Sequence, residues 1–252
     1  MTTSNPTVYT LNDTPTPSEQ PPSGLEAPSL SWQAAYQGYR PADWVALGLS
    51  VVFHPLGLTS LFVGLLIAFY PDKLTYQGGY FSQITLWKLW LMLWLTTFMM
   101  PMLSLLVFYL FHYINDLGMP KLEERRMPFA LTTLFYGIAA YLFYERVPVL
   151  PLISWILIAV TLVLALVTVV SFWWKISAHS AAMGGIVGLF LALSQQQPDG
   201  ALLVPLALTF FLGGAVMSAR LQLNAHTPMQ VGIGALLGMN CCFLVLTYFL
   251  RT

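Results

Sequence analysis

Charge is what this chain has least of. Lys, Arg, Asp and Glu make up 8% of its 252 residues, ten basic against ten acidic, while 57% are hydrophobic. A soluble domain carries about a quarter charged residues. So few charges cannot solvate the surface of a water-soluble protein of this size. A net charge of zero leaves no basic face for nucleic acid, and no such partner is expected. Cysteine is nearly absent. Cys241 and Cys242 are neighbours in an apolar run, point roughly 100° apart on a helix, and read as packing residues with no message about redox compartment.

Long apolar runs are what the chain has in abundance. Segments 44–70, 84–113, 128–144, 149–173, 178–193, 201–218 and 228–250 approach the roughly 17–25 residues that cross a hydrocarbon core. They predict an all-α fold, a polytopic membrane helical bundle of about six to seven transmembrane helices spanning residues 44–252. His54-Pro55 predicts a kink or break in the first segment. Tyr70, Tyr113, Tyr144, Trp173 and Trp174 gather near segment ends, as interfacial aromatics do. Gly184 and Gly188, and Gly234 and Gly238, are spaced four apart and would let two helices approach closely. Residues 1–43 differ. They are rich in Pro, Ser and Thr, show no apolar period, and are expected to form a disordered tail. That stretch lacks the basic start and apolar core of a secretory signal.

The scarce charges are concentrated. Half of the ten basic residues lie in three connections: Lys121, Arg125 and Arg126; then Lys175; then Arg220. His179 and His226 belong to the same connections. Two predicted spans separate the first connection from the second, and two more separate the second from the third. An even number of crossings returns the chain to the same face, so all three clusters share one side of the membrane. Loop cations obeying the positive-inside rule would explain the Lys and Arg. The paired histidines are better explained by acid–base or nucleophilic chemistry on an anion.

Three local sequences carry a resemblance. Arg220 is followed by His226 after five residues, with Ser218 just before and Gly232, Gly234 and Gly238 beyond. Ile176-Ser177-Ala178-His179 stands where a Pro-Ser-Gly-His motif would. Lys121 through Pro128 is a degraded form of a Lys, six residues, then Arg-Pro. In order, spacing and shared face these resemble the type-two phosphatidic acid phosphatase superfamily, over roughly residues 85–250. The resemblance implies a membrane lipid phosphatase acting on a lipid phosphate or diphosphate, located in the plasma or inner membrane, with its site away from the cytoplasm. It implies that His226 attacks phosphorus to form a phosphohistidine and that His179 protonates the leaving oxygen.

The residue chemistry fits that implication. Arg offers a planar fork to phosphate oxygens and Lys a mobile point charge. Lys121, Arg125, Lys175, Ser177 and Arg220 are therefore expected to bind phosphate, with Lys121 and Arg125 sharing a helix face by their spacing of four. Ser177 is expected to cap the helix carrying His179. Thr227-Pro228 reads as a cap followed by Pro at the first helical position, which sets His226 at the positive end of the last helix. No metal and no cofactor are expected, because the cations neutralise the phosphoryl charge and no carboxylate or cysteine cluster stands by the histidines.

One position departs from the family pattern. An Asp is usual four residues after the nucleophilic His, and this chain has Gln230. A Gln carbonyl can fix the imidazole tautomer but adds no negative charge. Asp116, in the first connection, is a second candidate for that orienting role. Two other classes stay open on sequence: a catalytically inactive relative that binds a lipid headgroup or serves as a subunit of a membrane complex, and a transporter. His54 reads as a packed or kink-stabilising residue, with a functional role at the midplane as the alternative because polar groups in spans are costly.

Overall fold

The computed structural model describes residues 40–71, 74, 82–116, 118–119, 121–196 and 200–251. The tail expected over 1–43 lies outside them except for its last four residues. Those residues already begin the first helix.

Every segment predicted to be helical is helical, and no strand occurs among the described residues. In chain order the helices are α1 (Pro41–Val52), α2 (Pro55–Phe69), α3 (Gln83–Trp94), α4 (Met100–Leu110), α5 (Arg126–Arg146), α6 (Pro151–Val170), α7 (Ala178–Ser194), α8 (Leu203–Gln222) and α9 (Pro228–Arg251). A π-helical turn, Leu95–Met99, joins α3 to α4, so the stretch Gln83–Leu110 runs as one helix. Pro101 lies just beyond that turn and supplies no N–H, which is where a helix ladder must be re-registered. Proline also marks starts. Pro41, Pro55, Pro151 and Pro228 each open a helix, where the missing N–H would have had no partner.

Five helices are long and apolar enough to cross a membrane: Gln83–Leu110, Glu123–Arg146, Pro151–Val170, Leu203–Gln222 and Pro228–Arg251. At about 1.5 Å per residue, a helix of this length matches a ~30 Å hydrocarbon core. The outward faces of these spans carry exposed Leu91, Leu106, Leu166 and Phe211. Such a surface is stable in lipid and a liability in water. The helix α7, at 17 residues, is shorter but apolar and packed inside the bundle.

The expected break at His54-Pro55 is present. There α1 and α2 meet at 62°. Gln222, the last residue of α8, donates to Asp43 near the start of α1 at 2.7 Å. His179, at the start of α7, donates to the Ser50 carbonyl near the end of α1 at 3.0 Å. Both ends of α1 therefore meet one face of the bundle, and α1 lies along that face.

The tightest packing is between α7 and α9. A Cβ added at Gly184 would strike the Ala235 carbonyl oxygen, one at Gly188 that of Met239, and one at Gly238 that of Ala181. Only glycine permits backbones this close. The contact numbers rise together along both helices, so α7 and α9 run parallel. Their N-termini are brought side by side, and the Ser177 N–H reaches the Gln230 carbonyl at 3.4 Å.

Candidate phosphate-binding site

Each histidine is set by its own local chain reversal. The helix α8 ends in a Schellman motif, with the Ala225 N–H on the Arg220 carbonyl and the Asn224 N–H on the Leu221 carbonyl. The motif needs a left-handed residue, and Asn224 supplies it at φ 49°, a conformation Asn tolerates well. Thr227 follows at once as the cap of α9, its Oγ1 accepting from the Gln230 N–H at 3.4 Å. His226 is thus held between the C-terminus of one helix and the N-terminus of the next. It is 8% exposed.

The state of its ring can be read from its partners. Gln230 Oε1 accepts the Thr227 N–H at 3.2 Å, which identifies that atom as the amide oxygen. The same oxygen lies 3.1 Å from His226 Nδ1. Nδ1 must therefore donate, and Nε2 keeps its lone pair. Burial foremost, and then the nearby Arg125, push the His226 imidazole down to about 4, against the opposing pull of Gln230. The ring is neutral at pH 7, which is the form that can act as a nucleophile.

His179 is the second residue of α7. Ser177 caps that helix, accepting the Ser180 N–H at 3.3 Å and the Ser180 hydroxyl at 2.9 Å. The His179 Nε2–H points to the Ser50 carbonyl. His54 meets the same ring edge-on, with centroids 5.7 Å apart. His179 lies within electrostatic reach of Arg220, His54 and His226.

Three cations complete the cluster. Arg125 is 4% exposed and ties two connections together, donating from Nε to the Met119 carbonyl at 2.8 Å and from Nη1 to the Ile176 carbonyl at 3.3 Å. Arg220 has a buried Nε with no hydrogen-bond partner. Burial, then Arg125 and Arg220, hold the Lys175 amine below the ordinary lysine value. None of the three has a carboxylate partner among the described residues. Among the described residues the ion pairs are Arg40–Asp43 and Lys121–Glu124. A buried cation without a counter-charge is costly, and this cluster holds one, Arg125, with half-buried Lys175 and Arg220, beside two helix N-termini that also favour an anion.

The structure brings together His226, His179, Arg125, Lys175, Arg220, Ser177 and Gln230. It does not bring in Lys121. The side chain of Lys121 is 72% exposed and its Nζ stands 4.0 Å from Glu124. The turn carrying Arg125 is a 3₁₀ helix, Glu123–Arg125, that starts after Lys121. A spacing of four therefore does not put the two cations on one face. Asp116 is also elsewhere: its Oδ1 accepts the Gly118 N–H in its own loop. His54, read from the sequence first as a packed or kink-stabilising residue, also meets the cluster through the His179 ring. An ionisable side chain inside an apolar segment is itself a signal, and the reading as a kink residue captured only its Nδ1, which accepts the Leu56 N–H at 3.4 Å. Among the described residues no group of three or more His, Cys, Asp or Glu is arranged to hold a metal ion.

Comparison with known proteins bears on the second half of this cluster. Residues 168–252 match the PAP2 superfamily, the family suggested by the second and third motifs. The match contains Lys175, Ser177, His179, Arg220, His226 and Gln230; Lys121 and Arg125 fall outside it. No curated protein and no solved structure matches the chain.

Proposed function

Taking residues 168–252 as a PAP2-superfamily segment, which supports a phosphatase-type function, we propose that this protein is a metal-independent membrane phosphatase. In this reading it hydrolyses a lipid phosphate or diphosphate through a phosphohistidine. The observation that carries the reading is the set of cations without a carboxylate partner among the described residues, buried Arg125 and half-buried Lys175 and Arg220, around two histidines at adjacent helix N-termini. A phosphoryl group is the anion whose several oxygens use all of these donors at once.

In this mechanism His226 Nε2 attacks phosphorus while Nδ1–H stays on Gln230. The positive charge that develops on the ring is stabilised only by the Gln dipole. Arg125, Lys175 and Arg220 neutralise the equatorial oxygens. His179 holds its Nε2–H on Ser50, which leaves Nδ1 to face the substrate. The negative charge of the bound phosphate offsets the surrounding cations, so Nδ1 takes up a proton as the substrate binds, gives it to the leaving oxygen, and then takes a proton from the water that hydrolyses the phosphohistidine. The alcohol or lipid monophosphate leaves first and inorganic phosphate second. In this reading the lipid tails remain in the bilayer and the site opens on the non-cytoplasmic side.

Purified protein assayed with a panel of lipid phosphates, with divalent metals chelated, should release inorganic phosphate and form an acid-labile phosphoenzyme. A second reading draws on Gln230, which lacks the charge of the usual carboxylate: an inactive relative that binds a lipid headgroup. Headgroup binding with no phosphate release from any member of the panel would select it.

A further inference from the structure

One proline sets both contacts that hold the His179 ring. In an unbroken helix the Ser50 carbonyl would accept the N–H of His54, four residues on. Pro55 ends that ladder. It drives the residue before it out of the helical region, and its ring would clash with the Val51 carbonyl if the helix continued. His54 accordingly adopts φ −63° and ψ 132°, and its N–H turns to the Val51 carbonyl at 3.3 Å. The Ser50 carbonyl is left without its helical donor and takes the His179 Nε2–H at 3.0 Å instead. At the same break, where α1 and α2 meet at 62°, the His54 ring comes against His179. The centroids lie 5.7 Å apart and the planes stand at 82°, within the range of a favourable edge-to-face pair.

A single hydrogen bond fixes one atom of an imidazole and leaves the ring free to swing about that bond. A perpendicular neighbour removes the swing. We infer that His54 is a positioning residue for the proposed acid: its ring and the Ser50 carbonyl, one on each side of the α1–α2 break, close on His179 and keep Nδ1 turned to the phosphate. His54 lies far from the family-matched residues 168–252, and the role is read from the break alone. The inference rests on the phosphatase reading and adds a residue to its acid step. His54 also caps α2, since its Nδ1 accepts the Leu56 N–H at 3.4 Å. Cap and ring contact use different parts of the side chain, so they can be separated. Phe keeps a ring and has no acceptor. Asn keeps an acceptor at the same reach and has no ring.

Two esters test it with the full-length protein: decyl phosphate in detergent micelles, whose alcohol must be protonated as it departs, and p-nitrophenyl phosphate, whose phenolate need not be. His54→Asn should lower kcat for decyl phosphate about 10- to 100-fold, with KM and the p-nitrophenyl phosphate rate little changed. His54→Phe should keep most of the wild-type rate on both esters. The reverse pattern, an active Asn variant and an impaired Phe variant, would make His54 a helix cap and overturn the inference. Two variants that both keep the wild-type rate on decyl phosphate, or both lose it, overturn it as well. In a His179→Ala background the further change His54→Asn should cost nothing more; a second, additive loss would mean that His54 does not act through His179. Absence of phosphate release from every ester by the wild-type protein would instead remove the phosphatase reading itself, whereas normal wild-type turnover with any of the contrary patterns strikes this inference alone.

Discussion

His226 and His179 stand at the N-termini of two parallel helices in backbone contact, yet different kinds of partner hold the two rings. The partner of His226 is Gln230, a side chain four residues along the same chain segment. The partner of His179 is the backbone carbonyl of Ser50, contributed by α1 from 129 residues away. One ring is oriented by local sequence and is tunable by a single substitution. The other is oriented by tertiary placement and depends on how α1 docks. The difference also fits the proposed division of labour. A nucleophile gains from a partner whose charge can be adjusted, whereas an acid needs one nitrogen anchored and the other free.

The largest test of that comparison is His226→Ala. Loss of the nucleophile should reduce phosphate release at least about 10⁴-fold and abolish the acid-labile phosphoenzyme; near-normal turnover would assign the attack elsewhere. His179→Ala should cost about 10²–10⁴-fold for an alkyl phosphate. It should cost far less for p-nitrophenyl phosphate, whose leaving group needs no proton. Equal losses on both esters would mean that His179 positions substrate and does not act as the acid. Gln230→Asp probes the tunable partner. A carboxylate would accept the same Nδ1 proton and add negative charge, so kcat should rise on the order of tenfold or more, on the scale set by the Ser-His-Asp triad. An unchanged kcat would leave Gln230 without an orienting role.

The smallest effect is in pH dependence. With the imidazole of His226 pushed down to about 4, the reactive neutral form persists well below the ordinary histidine value of 6.5. The limb of kcat/KM that reports this ring should therefore lie on the acid side of 6.5. In Gln230→Asp it should move upward, because the new carboxylate favours the imidazolium. A wild-type limb at 6.5 or above would show that the ring is not shielded in the working protein.

The same contrast explains what was legible in the sequence. Hydropathy located every helix because lipid-facing surface must be apolar along the whole length of a span. The Schellman turn at Asn224, the cap at Thr227, the cap at Ser177 and the Gln230 contact all lie within a few residues of what they hold, and sequence reasoning reached most of them. Counting spans put the two histidines on one face, and the glycine spacing announced the close approach that brings them together. What was not legible is what comes from afar. Nothing near His54 says that α1 folds back along the site face or that the ring meets His179. Lys121 failed for a subtler reason. The spacing-of-four argument assumes a continuous α-helix, and the chain turns through a 3₁₀ segment there instead.

The glycine contact between α7 and α9 has a mechanical consequence. Membranes vary in thickness, and helices answer by tilting. Two helices joined backbone to backbone, with no side chains between them to shear, must tilt as one body. The gap between the two histidines is then insulated from the lipid composition around it, and the protein can be carried between bilayers of unequal depth with its site in register.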